Sequence, residues 1–473
     1  MYTYCQQKKS QMKLSSIKKI HFIGIGGVGM VGIAEMLIKQ NFDVSGSDLV
    51  ENKNTKRLKS LGAKIYIGHS EKNIRDVDLV VYSSAVNDTN PEIKSAKSQN
   101  LTLIPRAEML ASLMRGFQSI AVAGSHGKTT TTSLIANIFI KANLDPTYII
   151  GGKILGQENK SILGSSDYLI VEADESDASF LHLSPEMSVI TNIDNDHLDF
   201  YENDTEILDA TFLQFLENLP FYGNAIMCTD SDRAKDLFHS LSRPKISYGF
   251  EKTSDYFIKE QKQFKNYQEF IVVKNSTGKE TKLKLNLAGK HNALNATAAF
   301  IVARKSGINV KVIKDAMKSF EGVSRRMEFK GNISIAGRKQ KLFDDYGHHP
   351  TEIKATYDAL CSSNPNKKIT MIFQPHRYTR STLLFDDFIN CLSMIDNIII
   401  LDIYSAREQN LESISSYDFV NALRDRGKNA FFAKNLKEIS SVLETSITES
   451  DIVLTQGAGN IVDISNSILA IYK

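Results

Sequence analysis

Short apolar runs recur along this chain, each followed by a turn and an amphipathic stretch. Residues 20–25 form the first run, residues 42–45 and 79–82 continue the rhythm, and residues 35–39 lie on the first helix between them. Strands alternating with helices argue for α/β layers with mostly parallel sheets. Pro105 interrupts the pattern, which restarts at residues 120–123, with further strands near 168–171 and 188–191. From about 245 to 287 it becomes alternation, as in Lys282-Leu283-Lys284-Leu285, which fits an antiparallel sheet with one wet face. Helices expected at 292–305 and 310–320 close this second unit. A third begins after Gly322, with strands near 368–373, 397–402 and 451–455. The pattern predicts three α/β units, 1–105, 106–324 and 325–473.

Composition narrows the class. The 473 residues suit two to four domains. With 57 basic against 54 acidic residues the net charge is +3, too small to suggest a nucleic-acid binder or a polybasic membrane protein. The 27 glycines and 9 prolines exclude a collagen-like or Pro/Gly-rich disordered chain. Cys5, Cys228, Cys361 and Cys391 are far apart, so neither a zinc site nor a disulfide framework is expected, and a cytoplasmic location is. No apolar run approaches the roughly 18 residues that span a bilayer. Residues 1–16 carry lysines but no apolar segment and read as a frayed polar leader, not a secretory signal.

Two glycine-rich turns carry candidate chemistry. The first, Gly24-Ile25-Gly26-Gly27-Val28-Gly29, has G-x-G-x-x-G spacing after a strand and before a helix. Glycines there let backbone N–H groups approach a pyrophosphate at the helix N-terminus. Asp48, at the end of the second strand, stands where a ribose-binding acid is expected. NAD is the simplest ligand, a UDP-sugar presents the same pyrophosphate, and a tight turn without a ligand is the plainer alternative.

The second, Gly124-Ser125-His126-Gly127-Lys128-Thr129-Thr130, follows the strand at 120–123 and precedes a helix expected over 133–141. Its Gly-Lys-Thr core suits a phosphate loop: backbone amides wrap phosphates, Lys128 reaches the β/γ oxygens and the Thr129 hydroxyl can ligate Mg²⁺. Val122 stands where the strict motif has its first glycine. The next two apolar strands end in Glu172-Ala173-Asp174-Glu175-Ser176-Asp177 and Asn192-Ile193-Asp194-Asn195-Asp196-His197. In a parallel sheet these ends open on the same side as the phosphate loop, where one to three of the groups can hold Mg²⁺.

These stretches resemble the Mur ligase family over nearly the whole chain. The matching motifs are the two glycine turns and Glu172-Ala173-Asp174-Glu175-Ser176-Asp177-Ala178-Ser179-Phe180. They continue with Gly289-Lys290-His291-Asn292-Ala293-Leu294-Asn295-Ala296, Arg325-Arg326, Asp344-Asp345-Tyr346-Gly347-His348-His349-Pro350 and Gln374-Pro375-His376-Arg377-Tyr378-Thr379-Arg380. The wording is most similar to the alanine-adding branch. Residues 203–219 contain no lysine, unlike the branches that often carry a carbamylated one.

The resemblance implies a Rossmann-like UDP-sugar-binding domain, a central P-loop-type ATP-binding α/β domain and a Rossmann-like C-terminal domain that brings the amino acid. It reassigns the first turn from NAD to the UDP pyrophosphate, with Gly24, Gly26, Gly27, Gly29 and Asp48 as binding residues. It implies ATP and Mg²⁺ as cofactors, with Gly124, Ser125, His126, Gly127, Lys128, Thr129 and Thr130 around the phosphates and Thr129, Glu172 and His197 on metal. Asn292, Asn295 and Arg326 would contact the nucleotide; Asn292 as a helix N-cap and Arg326 as a surface charge are the plainer alternatives. Tyr346, His348, Arg377 and Arg380 would bind substrate, with Lys128, His348, Arg377 and Arg380 catalytic. Arg377 and Arg380, three apart, are expected on one helical face. His376 receives no role.

The implied reaction is ATP-dependent ligation of L-alanine to the lactyl carboxylate of UDP-N-acetylmuramate through an acyl phosphate, by a monomer or homodimer, without nucleic acid or membrane. Rival readings are a ligase that joins a whole peptide to the same UDP-sugar, a folylpolyglutamate synthetase, an NAD-dependent oxidoreductase, and a non-catalytic nucleotide switch.

Overall fold

The computed structural model describes residues 17–473 apart from 84, 157–160, 407, 411–413 and 448. The leader read at 1–16, with Cys5, lies outside the described residues. Three sheets organise the chain. The first has five parallel strands in the order Lys64–Ile67, Asp43–Asp48, Lys19–Ile23, Leu79–Tyr82, Thr102–Pro105. The strand order reverses at Lys19–Ile23, so a crevice opens at the carboxyl ends of Lys19–Ile23 and Leu79–Tyr82, where ligands bind in such sheets. That first strand ends two residues before the expected 25, because Gly24 adopts φ +80° and turns the chain away.

The second sheet has ten strands. Gln118–Ala123 lies at its centre, flanked by Met187–Ile190 and Tyr168–Glu172, all parallel. The stretch after 245 does not start a separate antiparallel sheet. Lys245–Gly249 pairs in parallel with Asn224–Cys228, and the antiparallel strands Tyr256–Gln263, Gln268–Lys274 and Lys279–Leu285 extend the same sheet. Phe270, Val272, Leu283 and Leu285 are buried beneath helix Lys290–Lys305, while Lys282 pairs with Glu269 at 2.7 Å on the wet face.

Helix Lys128–Lys141 starts five residues earlier than expected. Gly127, at φ +83°, brings the chain into the helix, and within the run of threonines that reads as a weak helix former Thr132 Oγ1 donates back to Lys128 O at 2.8 Å.

The third sheet has six strands, with an antiparallel hairpin, Glu328–Ile335 and Arg338–Asp345, at one edge of a parallel core. Helix Arg106–Met114 follows Pro105 and buries Met109, Leu110, Leu113 and Met114 in one apolar core shared with Ile20 and Phe22 of the first sheet and Ala121 and Phe180 of the second unit. The third sheet packs its own cores around Met371 and Phe388 on one face and Ile372 and Ile399 on the other. Among the described residues no helix is long and apolar enough to cross a membrane.

Candidate active site

The first glycine turn is held by backbone. Gly24 N and Ile25 N donate to Ser47 O at 2.8 and 3.0 Å, and Gly26 N donates to the Asp48 carboxylate at 2.8 Å. A Cβ on Gly26 would lie 2.6 Å from Asn52 Nδ2 and 2.8 Å from Asp48 Oδ2, so any side chain there displaces both. Gly24, Gly26, Gly27 and Asp48 line one cavity of about 470 Å³ with His69 and Asn90. Gly29 does not join them: it faces Arg106, whose guanidinium would lie 2.8 Å from an added Cβ. Beneath the cavity Glu92 is fully buried. Burial opposes its ionisation, but the nearby His21 imidazole, 3.8 Å away, and hydrogen bonds from Ser47 and Asn73 prevail and lower it to about 2.

The second turn carries charge. Gly124 and Gly127 are both left-handed, at φ +124° and +83°, and a Cβ on Gly127 would meet Asn295 Oδ1 at 2.7 Å. Lys128 Nζ folds back onto Gly124 O and Ser125 O, at 2.6 and 3.1 Å, and pairs with Glu175 at 2.6 Å. Burial works against the Lys128 ammonium, yet Glu175 outweighs it and raises its pKa. Thr129 Oγ1 donates to Glu172 Oε1 at 2.8 Å, and the other Glu172 oxygen accepts from Gly151 N at 2.7 Å.

A hydroxyl and a carboxylate side by side near a lysine are hard oxygen donors suited to Mg²⁺. His197, at φ +56°, opens onto the same cavity, and burial pushes its imidazole down, which leaves it neutral and able to bind a metal. Among the described residues a second group, His126, Asp194 and His349, also brings three ligand atoms within 4.8 Å of one another. His126, expected at the phosphates, reaches Asp194 Oδ2 at 3.0 Å and Glu352 of the third unit at 3.5 Å with its ring. Burial alone would lower this histidine, but the two carboxylates raise it to about 9.

Beside the phosphate loop a narrower cavity of about 370 Å³ is lined by Thr130, His291, Asn292, Asn295 and Arg326, among others. Asn292 is not the cap of its helix. That place belongs to Gly289, at φ +95°, while Asn292 Nδ2 donates to Ala288 O at 2.7 Å and its Oδ1 accepts from Asn295 at 3.2 Å. Nor is Arg326 a free surface charge: it lies 3.5 Å from Glu352 and over the Tyr346 ring.

The third unit closes the larger cavity, about 1050 Å³, in which Ser125, Lys128, Thr129, Glu172, His197, Tyr346, His348, Arg377 and Arg380 all meet. Arg380, only 6% exposed, donates to Asp196 at 2.7 Å, and Arg377 donates to Asp199 at 2.8 Å and pairs with Glu408. The two arginines do not share a helical face. Arg377 is the residue before helix Tyr378–Leu383, at φ +72°, and only Arg380 lies within it. Burial lowers His348 to about 4, and its Nδ1 lies 3.1 Å from Tyr346 O. His376, given no role by the sequence, lines the cavity and stacks on Tyr404 at 5.5 Å.

Sequence reasoning missed Glu352. It accepts from His348 N and His349 N and closes a capping box on the helix that begins at Pro350. The signal was present in His349-Pro350-Thr351-Glu352, an N-cap, a proline at the first helical position and an acid at the third.

Three family descriptions match in chain order. They are Mur ligase family, catalytic domain, over 19–118; Mur ligase middle domain, over 122–303; and Mur ligase, glutamate ligase domain, over 325–459. The UDP-N-acetylmuramate–L-alanine ligase of Ruthia magnifica subsp. Calyptogena magnifica is 47% identical over 448 residues, which cover 94% of this chain and 96% of that one. Among solved structures, a UDP-N-acetylmuramate–alanine ligase from Thermotoga maritima is 29% identical with a TM-score of 0.79 and covers 96% of this chain and 98% of its own. A murein peptide ligase from Psychrobacter arcticus, 24% identical with a TM-score of 0.71 over the same shares, has the same fold. The oxidoreductase reading of the first turn finds no counterpart among these relatives.

Proposed function

The chain belongs to the Mur ligase family, and from that premise we infer its reaction: it ligates L-alanine to the lactyl carboxylate of UDP-N-acetylmuramate, driven by ATP. It is a carboxylate–amine ligase of peptidoglycan precursor synthesis. The observation that carries the residue assignments is the single cavity in which the phosphate-loop Lys128 and Thr129 face Arg377 and Arg380 of the third unit.

A carboxylate does not condense with an amine in water without activation. The lactyl carboxylate oxygen attacks the γ-phosphorus, ADP leaves and an acyl phosphate forms. The alanine nitrogen then attacks the acyl carbon and inorganic phosphate departs. Both steps gather negative charge, so fixed cations contribute most. Lys128 sits at the phosphates, with the loop residues Gly124, Ser125, His126, Gly127 and Thr130 around them. The Thr129 hydroxyl and the Glu172 carboxylate, with His197, would hold magnesium, which neutralises phosphate charge when bound. Asn292, Asn295 and Arg326 receive the nucleotide. Arg377 and Arg380 face substrate carboxylate or phosphate, a task for which the guanidinium fork is suited. His348 and Tyr346 position the substrate. Gly24, Gly26, Gly27 and Asp48 take the UDP pyrophosphate, whereas Gly29 serves packing against Arg106.

In this reading the units 1–105, 106–324 and 325–473 bring UDP-sugar, ATP and amino acid in turn, in the cytoplasm where these substrates are made. Closure of the third unit over the phosphate loop keeps water from the acyl phosphate.

The test is phosphate release from ATP and Mg²⁺, with one amino acid added at a time. Release that requires both UDP-N-acetylmuramate and L-alanine is the expected result. Release with a peptide but not with alanine would move the chain to the peptide-joining branch, and ATP binding without release would favour a switch.

A further inference from the structure

A fourth cavity, about 810 Å³, lies at the junction of the second and third units and shares no residue with the three described above. The second unit contributes Phe264 and Lys265, from the turn between strands Tyr256–Gln263 and Gln268–Lys274. The third contributes Lys339, Gln340 and Lys341 from strand Arg338–Asp345, and Lys367 and Asp451 from neighbouring loops.

Its charge is lopsided. Five lysines, with Lys473 among them, face one acidic side chain, Asp451, which Lys367 already engages at 2.8 Å and the Lys368 amide at 3.0 Å. Among the described residues Lys341 Nζ has the neutral Asn364 Oδ1 as its partner, at 3.0 Å. Burial, reinforced by Lys265 and Lys367, pushes its pKa down. Lys265 and Lys339 form no ion pair among the described residues. Concentrating like charge in a concavity is unfavourable unless an anion enters. One further feature describes that anion. Phe264 is stacked on Tyr267 and still 40% exposed, an apolar surface at the rim.

We propose that this cavity binds a multiply charged organic anion, such as a bisphosphate with a carbon skeleton, which bridges the second and third units through Lys265 on one side and Lys339, Lys341 and Lys367 on the other. The site is independent of the ligase reading, because none of its residues lies in either nucleotide cavity.

The test is isothermal titration of the full chain with fructose 1,6-bisphosphate, with inorganic pyrophosphate in a parallel arm. The sugar bisphosphate should bind, and binding should survive Lys128→Ala, which disables the phosphate loop. Lys339→Glu and Lys265→Glu, both at exposed positions that leave the cores intact, should each weaken it about tenfold or more, as expected for loss of a charge-assisted contact. No binding at millimolar concentration, or binding that falls with Lys128→Ala and ignores both lysine variants, overturns the site. An effect of Lys339→Glu without one of Lys265→Glu overturns the bridging, and pyrophosphate binding as tightly as the sugar bisphosphate overturns the contact of a carbon skeleton with the Phe264 rim.

Discussion

The two glycine-rich turns share a construction, a parallel strand running through glycines into a helix, and differ in what surrounds them. The first is a cradle with no lysine or arginine among its described lining residues: amide groups, a carboxylate already committed to Gly26 N, and a cavity walled by His69 and Asn90. The second is ringed by Lys128, Glu172, Glu175, Arg326 and, across the domain junction, Arg377 and Arg380. Glycine supplies access for a phosphate in both. Only the second has the fixed charges that stabilise a phosphoryl group in transfer, so binding and chemistry are separated between two versions of one turn.

Removing the cation from the second turn is the severest way to break that contrast. Lys128→Ala should lower ligation by about a thousandfold or more in the phosphate-release assay, while UDP-sugar binding measured by calorimetry stays as it was. Next comes the charge framework that faces the turn. Asp196→Ala leaves Arg380 buried without its carboxylate and should cost about 3–5 kcal/mol in denaturant unfolding.

The pH response sharpens the contrast further. His126 is raised to about 9 by Asp194 and Glu352, above the roughly 6.5 of a free imidazole. Its contribution, on the order of 3 kcal/mol, is therefore complete below pH 6.5 and lost as pH rises towards 9. Thermal stability should fall across that window, and His126→Asn should flatten the slope. The smallest effects come from the glycines themselves. Gly127→Ala places a Cβ in left-handed backbone and against Asn295, which should cost about 1–3 kcal/mol and weaken ATP binding. Gly27, at φ −64° with 3.3 Å to its nearest neighbour, should accept alanine for less than about 1 kcal/mol.

The parts of this site written contiguously were the legible ones. Lys128 and Thr129 follow a strand and precede a helix, and Glu172 sits at the end of the next apolar run, so strand-end geometry alone places them together. The partners of His126 could not be read that way. Glu352 is more than two hundred residues downstream of it, and only the docking of the third sheet brings the two within 3.5 Å. The helical-face argument for Arg377 and Arg380 failed for a local reason: a spacing of three implies a shared face only if both residues are helical, and Arg377 takes a left-handed backbone before the helix starts. In the fold, the alternating strands after 245 were visible as strands, but their attachment to the parallel sheet depends on the edge offered by Lys245–Gly249. The hairpin Glu328–Asp345 escaped notice because its outward positions are mostly polar and no long apolar run marks it.

Helix Arg106–Met114 has a consequence for how the molecule comes apart. It fuses the apolar interiors of the first two sheets into one body, whereas the third sheet meets that body mainly through ionic and polar contacts such as Arg380 with Asp196 and Thr351 with Asp194. Three sheets therefore make two cooperative units. On heating in scanning calorimetry, the C-terminal portion should melt in its own transition and shift with ionic strength, and the remaining two thirds of the chain should unfold together in a second, less salt-sensitive one.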